Sequence, residues 1–355
     1  MRDPRGWSTR WVVATVVAVA VASGGCARAP TASTAQTSAA GGSRGTVVHD
    51  AAGASGQSSG TPTVINGIGF WNAQDGLLAA SQGCTLTVLA TRDGGTVWNT
   101  VLRLPHAESG TPTVSGREDA WVPILPCNGK GTTKLVQTSD GGRVWKTVGD
   151  GSVANLDFVS ATRGRGIHSA PSTHLTNWLG LTESLVNTDD GGRRWTSAAG
   201  PSCRRGDALG PLSAPDASTV YVMCAGQPGA GQQPKTLEVT TDGGKTWQVV
   251  ASSGQSPAGI SEAGYASGLD FVTPERGYLW MARGPLLVTE DGGRLWAGVD
   301  LGPQPDAAQP RSVSFVSTSV GFVLVQNEPQ RAASLLATVD GGTKWNVVRT
   351  WQNSI

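Results

Sequence analysis

Thr91-Arg92-Asp93-Gly94-Gly95-Thr96-Val97-Trp98 is the stretch that decides the fold, because five more versions of it follow in a chain of 355 residues. They are Thr138-Ser139-Asp140-Gly141-Gly142-Arg143-Val144-Trp145, Thr188-Asp189-Asp190-Gly191-Gly192-Arg193-Arg194-Trp195 and Thr240-Thr241-Asp242-Gly243-Gly244-Lys245-Thr246-Trp247. The last two are Thr289-Glu290-Asp291-Gly292-Gly293-Arg294-Leu295-Trp296 and Thr338-Val339-Asp340-Gly341-Gly342-Thr343-Lys344-Trp345. The aspartates step by 47, 50, 52, 49 and 49 residues. Self-similarity at that period is the mark of a repeat architecture. The chemistry of the repeat is that of a turn. A short carboxylate accepts N–H groups of its own loop, glycine supplies positive φ, and the tryptophan opens the next strand and packs between sheets. No copy has the alternating acidic spacing of a calcium loop.

Composition agrees. With 49 Gly and 20 Pro, helix breakers are too frequent for a helical bundle or long βαβ units, and short strands with tight turns are favoured. Apolar runs such as Leu86-Thr87-Val88, Leu185-Val186 and Leu287-Val288 lead into the turns. A second element, Phe-x₅-Gly, precedes four of the turns at Phe70 and Gly76, Phe158 and Gly164, Phe271 and Gly277, and Phe315 and Gly321. Four short strands per repeat of about 50 residues make a propeller blade. Residues 61–355 hold six such repeats, so the expected fold is all-β: a six-bladed β-propeller of four-stranded antiparallel blades, with seven blades as the alternative.

The pattern Ser/Thr-x-Asp-x-Gly-x-x-Trp resembles the Asp-box, or BNR, repeat, and the resemblance covers 61–355. With the Phe-x₅-Gly element it looks especially like the photosystem II stability and assembly factor family; sialidases and sortilin-type receptors share the turn. The resemblance implies a structural role for Asp93, Asp140, Asp190, Asp242, Asp291 and Asp340, and for Trp98, Trp145, Trp195, Trp247, Trp296 and Trp345. It also implies a macromolecular partner, with this chain as a scaffold or assembly aid for an envelope complex.

Residues 1–25 read as an export signal: Arg2, Arg5 and Arg10, then an uncharged run from Trp11 to Ala22 that is too short to span a bilayer comfortably. Ser23-Gly24-Gly25-Cys26 resembles the lipobox of bacterial lipoproteins, with Ser23 where that family usually has an aliphatic residue. It implies lipidation of Cys26 and anchorage to the outer face of the cytoplasmic membrane. Residues 26–60 are then a tether. Of the 34 residues after Cys26, 25 are Ala, Gly, Ser or Thr and none is aromatic, so the segment cannot bury enough surface to offset its ordering entropy.

If the Phe-x₅-Gly and Asp turns share one face, the other face carries the loops that bind. The longest are expected at His168–Thr182, Ala198–Leu212 and Ala225–Lys235, and they offer His168, His174, Trp178, Arg204, Arg205 and Asp207 as a candidate binding face. The two histidines have no clear third ligand, so no metal is expected. Cys203 lies in the loop entering blade four and Cys224 ends that blade's second strand, so they are expected to pair. Cys84 and Cys127, in equivalent loops of neighbouring blades, pair by elimination, as an oxidising compartment allows.

A net charge of +1 leaves no electrostatic footprint for nucleic acid, and no cofactor motif is present. Sialidase-like hydrolysis requires an arginine cluster and a Glu-activated tyrosine. Only Tyr221, Tyr265 and Tyr278 exist, and Tyr221 and Tyr278 sit in strand-like runs. The expected function is therefore non-catalytic binding of a macromolecular partner, a protein or alternatively a glycan, with glycoside hydrolysis as the enzymatic alternative.

Overall fold

The computed structural model describes residues 63–127, 132–171, 177–255, 259–304 and 308–352, and Ser354. The proposed signal segment, Cys26, the tether and His174 lie outside these.

Six antiparallel sheets follow one another along the chain, each built from consecutive strands. Blade one holds β1 (Thr63–Phe70), β2 (Gly76–Gln82), β3 (Thr85–Thr91) and β4 (Asn99–Pro105). Blade two holds β5 (Ala107–Ser109), β6 (Thr113–Ser115), β7 (Asp119–Pro126), β8 (Lys134–Thr138) and β9 (Lys146–Gly149). In blade three are β10 (Val153–Phe158), β11 (Gly164–Pro171), β12 (Leu181–Thr188) and β13 (Thr196–Ser197). Blade four has β14 (Ala208–Ser213), β15 (Val220–Ala225), β16 (Lys235–Thr240) and β17 (Gln248–Ser252). Blade five comprises β18 (Tyr265–Phe271), β19 (Gly277–Ala282), β20 (Leu286–Thr289) and β21 (Ala297–Gly298). Blade six closes the ring with β22 (Gln309–Phe315), β23 (Gly321–Asn327), β24 (Ala332–Thr338) and β25 (Asn346–Gln352). The chain is a six-bladed β-propeller, with no α-helix among the described residues. The inner strand of blade two is split: β5 and β6 both pair with β7, on either side of Pro112, which has no N–H to give a ladder.

The repeated turn is built alike in all six copies. In the first, Thr91 Oγ1 donates to Asp93 Oδ1 at 2.8 Å, Gly95 N donates to Thr91 Oγ1 at 2.9 Å, and Asp93 Oδ1 accepts from Val97 N at 2.9 Å. Gly94 and Gly95 take φ of 73° and 97°, where a side chain would be strained. The indole N–H of Trp98 then donates to Gly95 O at 2.7 Å, which fixes the ring against the turn. Trp145, Trp296 and Trp345 do the same, whereas Trp247 donates to Ala199 O and Trp195 Nε1 is buried with no hydrogen-bond partner among the described residues.

That ring meets the Phe-x₅-Gly element edge-on. Phe70 lies T-shaped to Trp98 and flat on Phe322 of the neighbouring blade, and Phe158, Phe271 and Phe315 repeat this with Trp121, Tyr221 and Tyr278 as the stacked partner. The glycine is needed for approach: a Cβ on Gly76 would stand 2.5 Å from the Phe70 ring. Blades three and four join differently. Ala214 follows Ser213 where a Phe follows Asp270, and Arg165 reaches across instead, from Asn187 Oδ1 to Ala217 O, both at 3.0 Å.

Neighbouring inner strands share no ladder, so side chains cinch them. In blades three to six the residue before the Phe position holds the backbone N–H of the next blade: Asp157 Oδ2 accepts from Ala214 N (2.7 Å), Ser213 Oγ from Phe271 N (2.9 Å), Asp270 Oδ2 from Phe315 N (2.8 Å) and Ser314 Oγ from Phe70 N (2.9 Å). This girdle surrounds the central channel.

Candidate functional site

The face opposite the Asp turns carries a cleft of about 430 Å³ between blades three and four, lined in part by Glu183, Cys203, Arg204, Arg205 and Asp207. Cys203 is joined to Cys224, and Cys84 to Cys127, the pairs expected from their places in the blades. The first bond ties the entry loop of blade four to β15. Next to it Asp207 N donates to Arg204 O at 3.0 Å, closing a tight turn that leaves Arg204 and Arg205 exposed. Neither arginine forms an ion pair among the described residues. Partial burial raises the Asp207 carboxyl above its ordinary value, against the lowering pull of Arg204.

Glu183 of β12 organises the floor of the cleft, and nothing in its sequence context singles it out. Its Oε2 accepts from Leu209 N at 2.7 Å and from Asn177 Nδ2 at 2.8 Å, joining the two blades, while burial raises its pKa. Among the described residues, the one close group of three possible metal donors is Cys203, Cys224 and Glu238, and both sulfurs are spent in the disulfide.

Two members of the expected binding face are placed otherwise than expected. His168 is in a strand, not a loop: β11 extends to Pro171, with His168 opposite Val153 and Ser184, because the β11–β12 ladder continues past the apolar part of the hairpin. The predicted loop at 168–182 therefore gives up its first four residues to β11 and its last two to β12, and that at 198–212 ends where β14 begins at Ala208. Trp178 is half-buried and bound at both ends, its backbone N–H to Gly206 O and its indole N–H to Ala225 O, each at 3.0 Å. It is a strut between blades rather than a free platform. The structure thus brings Trp178, Cys203, Arg204, Arg205 and Asp207 together and sets His168 on the adjoining strand.

The second site is the channel. A cavity of about 320 Å³, open to solvent, is lined by residues of all six inner-strand segments. Its charged lining residues are Asp157, Asp270 and Arg311. Burial pushes Asp157 up to about 6 and Asp270 up to about 7, the Asp157 charge adding to the second shift. Both aspartates immediately precede the Phe of the Phe-x₅-Gly element, and aligning the repeats on that Phe would have found them. Tyr221 and Tyr278 are committed elsewhere. Their hydroxyls donate to Pro274 O at 2.5 Å and Gly341 O at 3.3 Å, and burial pushes each up to about 12, which is the wrong direction for a nucleophile.

No protein-family model and no curated protein matches the sequence. Among solved structures, a fucose-specific lectin from Aleuria aurantia has a TM-score of 0.54 at 13% identity, over 81% of this chain and 96% of the lectin. The likeness is one of fold. The structure described as YCF48 bound to D1 peptide has a TM-score of 0.45 at 15% identity, over 81% of this chain and 82% of that one. The Hadza microbial sialidase Hz136 has 0.48 at 12%, over 82% of this chain and 65% of the sialidase. All three are propellers of unlike function, and at these identities a shared fold carries no activity from one to another.

Proposed function

We propose that this chain is a non-catalytic binding propeller, exported, held at the outer face of the cytoplasmic membrane by a lipid on Cys26, and engaging an envelope protein through the loop face of blades three and four. One observation carries the reading: Arg204 and Arg205 stand exposed, without an ion pair among the described residues, on a loop that the Cys203–Cys224 disulfide pins beside a cleft. A preorganised pair of guanidinium groups suits a carboxylate-bearing protein surface, since each presents a rigid fork of donors. The two disulfides fit an oxidising compartment. A protein partner is favoured over a glycan because Trp178, the one aromatic side chain of the candidate binding face on which a sugar could stack, is half-buried and its indole N–H is already bonded.

Affinity purification of the tagged chain from gently solubilised membranes tests this. One stoichiometric protein should co-purify and be lost from Arg204→Glu/Arg205→Glu, while Cys26→Ala should release the chain from the membrane fraction. Retention of the same partner by the folded arginine variant would refute the docking face.

A further inference from the structure

The channel contains charges that the girdle does not use up. Around its wall most polar side chains are committed: Asn66 Nδ2 donates to Ser81 Oγ (2.8 Å), Thr113 Oγ1 to Leu156 O (3.0 Å), Asn155 Nδ2 to Gly210 O (3.4 Å) and Ser267 Oγ to Tyr265 O (3.1 Å). Arg311 is not. Its Nε is buried with no hydrogen-bond partner, and its guanidinium makes no ion pair among the described residues, although the Glu328 charge acts on it from the β23–β24 turn. A buried guanidinium N–H left unpaired costs stability, so a native structure retaining one calls for an explanation. Asp270 commits a single oxygen, to Phe315 N, and Asp157 lies close enough for its charge to be felt at Asp270.

These groups sit at different depths. Arg311 is the residue that the β22–β23 register skips, just before Ser312, and the three strand residues from Ser312 to Phe315, whose N–H marks the level of Asp270, already span about 10 Å. The cavity therefore has a cation toward one end and a pair of acids toward the other, in a volume at the lower edge of small-ligand sites. A simple anion would satisfy Arg311 and be repelled by the acids, and a simple cation would do the reverse. A molecule with both charges, separated along a chain, satisfies both ends.

We propose that the channel is a binding site for a small linear zwitterion, whose carboxylate pairs with Arg311 and whose primary ammonium lies toward Asp157 and Asp270. The site is independent of the loop-face cleft, and its failure would leave the partner reading untouched.

Calorimetric titration of the full chain in detergent with 6-aminohexanoate tests it, with triglycine as a peptide of similar span and with hexanoate and hexylamine each lacking one charge. The zwitterions should bind saturably, the one-charge probes at least about ten-fold more weakly, since a hydrogen-bonded charge is worth about 1.5–3 kcal/mol. The order of 6-aminohexanoate and triglycine distinguishes a free ω-amino acid from a peptide as the natural source. Arg311→Gln and Asp270→Asn should each lose about ten-fold or more in affinity while keeping the wild-type circular dichroism. If Arg311→Gln does not fold, Arg311→Lys, which keeps the charge but not the fork, should still weaken binding. Absence of binding by both zwitterions at millimolar concentration, equal binding of hexanoate, or folded variants with unchanged affinity would each overturn the proposal.

Discussion

Phe70 of β1 and Phe322 of β23 stack face to face, ring centroids 3.6 Å apart and planes within 8°, so an aromatic pair joins the first blade to the last. Phe70 is also bonded through its N–H to Ser314 Oγ, and Ile68 N donates to Ser312 Oγ at 3.1 Å. The closing seam is thus of the same kind as most other junctions in the ring.

Phe70→Ala removes the stacked ring and leaves a cavity at that seam. Truncation of a buried Phe costs about 3–5 kcal/mol, and a stacked pair adds about 0.5–1.5 kcal/mol beyond burial. Urea denaturation should show a loss in that range, while Phe70→Leu should retain part of it. A loss under about 1 kcal/mol would mean that the seam does not depend on this ring.

Gly268→Ala should also destabilise, by less and without touching a turn. Its Cβ would lie 1.7 Å from the Trp280 ring, and its φ is not positive, so the cost is packing alone. Overpacking of this kind costs about 1–3 kcal/mol, measurable as a lower thermal midpoint. Gly298→Ala, with open space around the new methyl, is the control that should change little.

Stability should fall as the pH rises from about 4 to 7. Asp157 and Asp270 have folded-state values of about 6 and 7, above the ordinary 3.8, so the unfolded chain ionises first. Their contribution is full below pH 4, lost through the window, and constant above 7; at 1.36 kcal/mol per pKa unit the loss is on the order of several kcal/mol. The turn aspartates act oppositely: their N–H bonds lower them, so their stabilisation fades below pH 4. Urea midpoints across pH 4–8 should therefore decline, and Asp157→Asn should flatten the slope. A rising profile would show that both carboxylates are ionised in the folded chain.

Removing Cys203–Cys224 by a double Ser substitution should cost about 3 kcal/mol on the chain-entropy account, and Cys84–Cys127, with its longer loop, about 4 kcal/mol. Denaturation with and without reductant gives the sum. Only loss of the first bond should free Arg204 and Arg205, so partner binding should suffer in that variant and survive in the other.

The fold was legible because one turn chemistry recurs six times at near-constant spacing. The candidate loop face was legible only in part. Cys203, Arg204, Arg205 and Asp207 announced themselves in a Gly- and Pro-rich stretch between strands. The extension of β11 through His168 did not, because residues 168–171 pair by backbone and lack an apolar alternation. Arg311 escaped for another reason: the channel is assembled from strands of every blade, and no short window contains more than one of its charges, so that Asp157 and Asp270 too could be found only by aligning the repeats on the Phe.

Each blade is made from one continuous stretch of chain, and among the described residues a single parallel bridge, Thr63 to Ser354, links the two ends of the ring by backbone pairing. Among the described residues no strand crosses from the last blade into the first. The ring therefore has no privileged starting point: joining the ends by a short linker and opening the chain between any other two blades would leave every sheet whole. Evolution could add or lose a blade by duplicating or deleting one repeat, without first solving how a shared sheet should close.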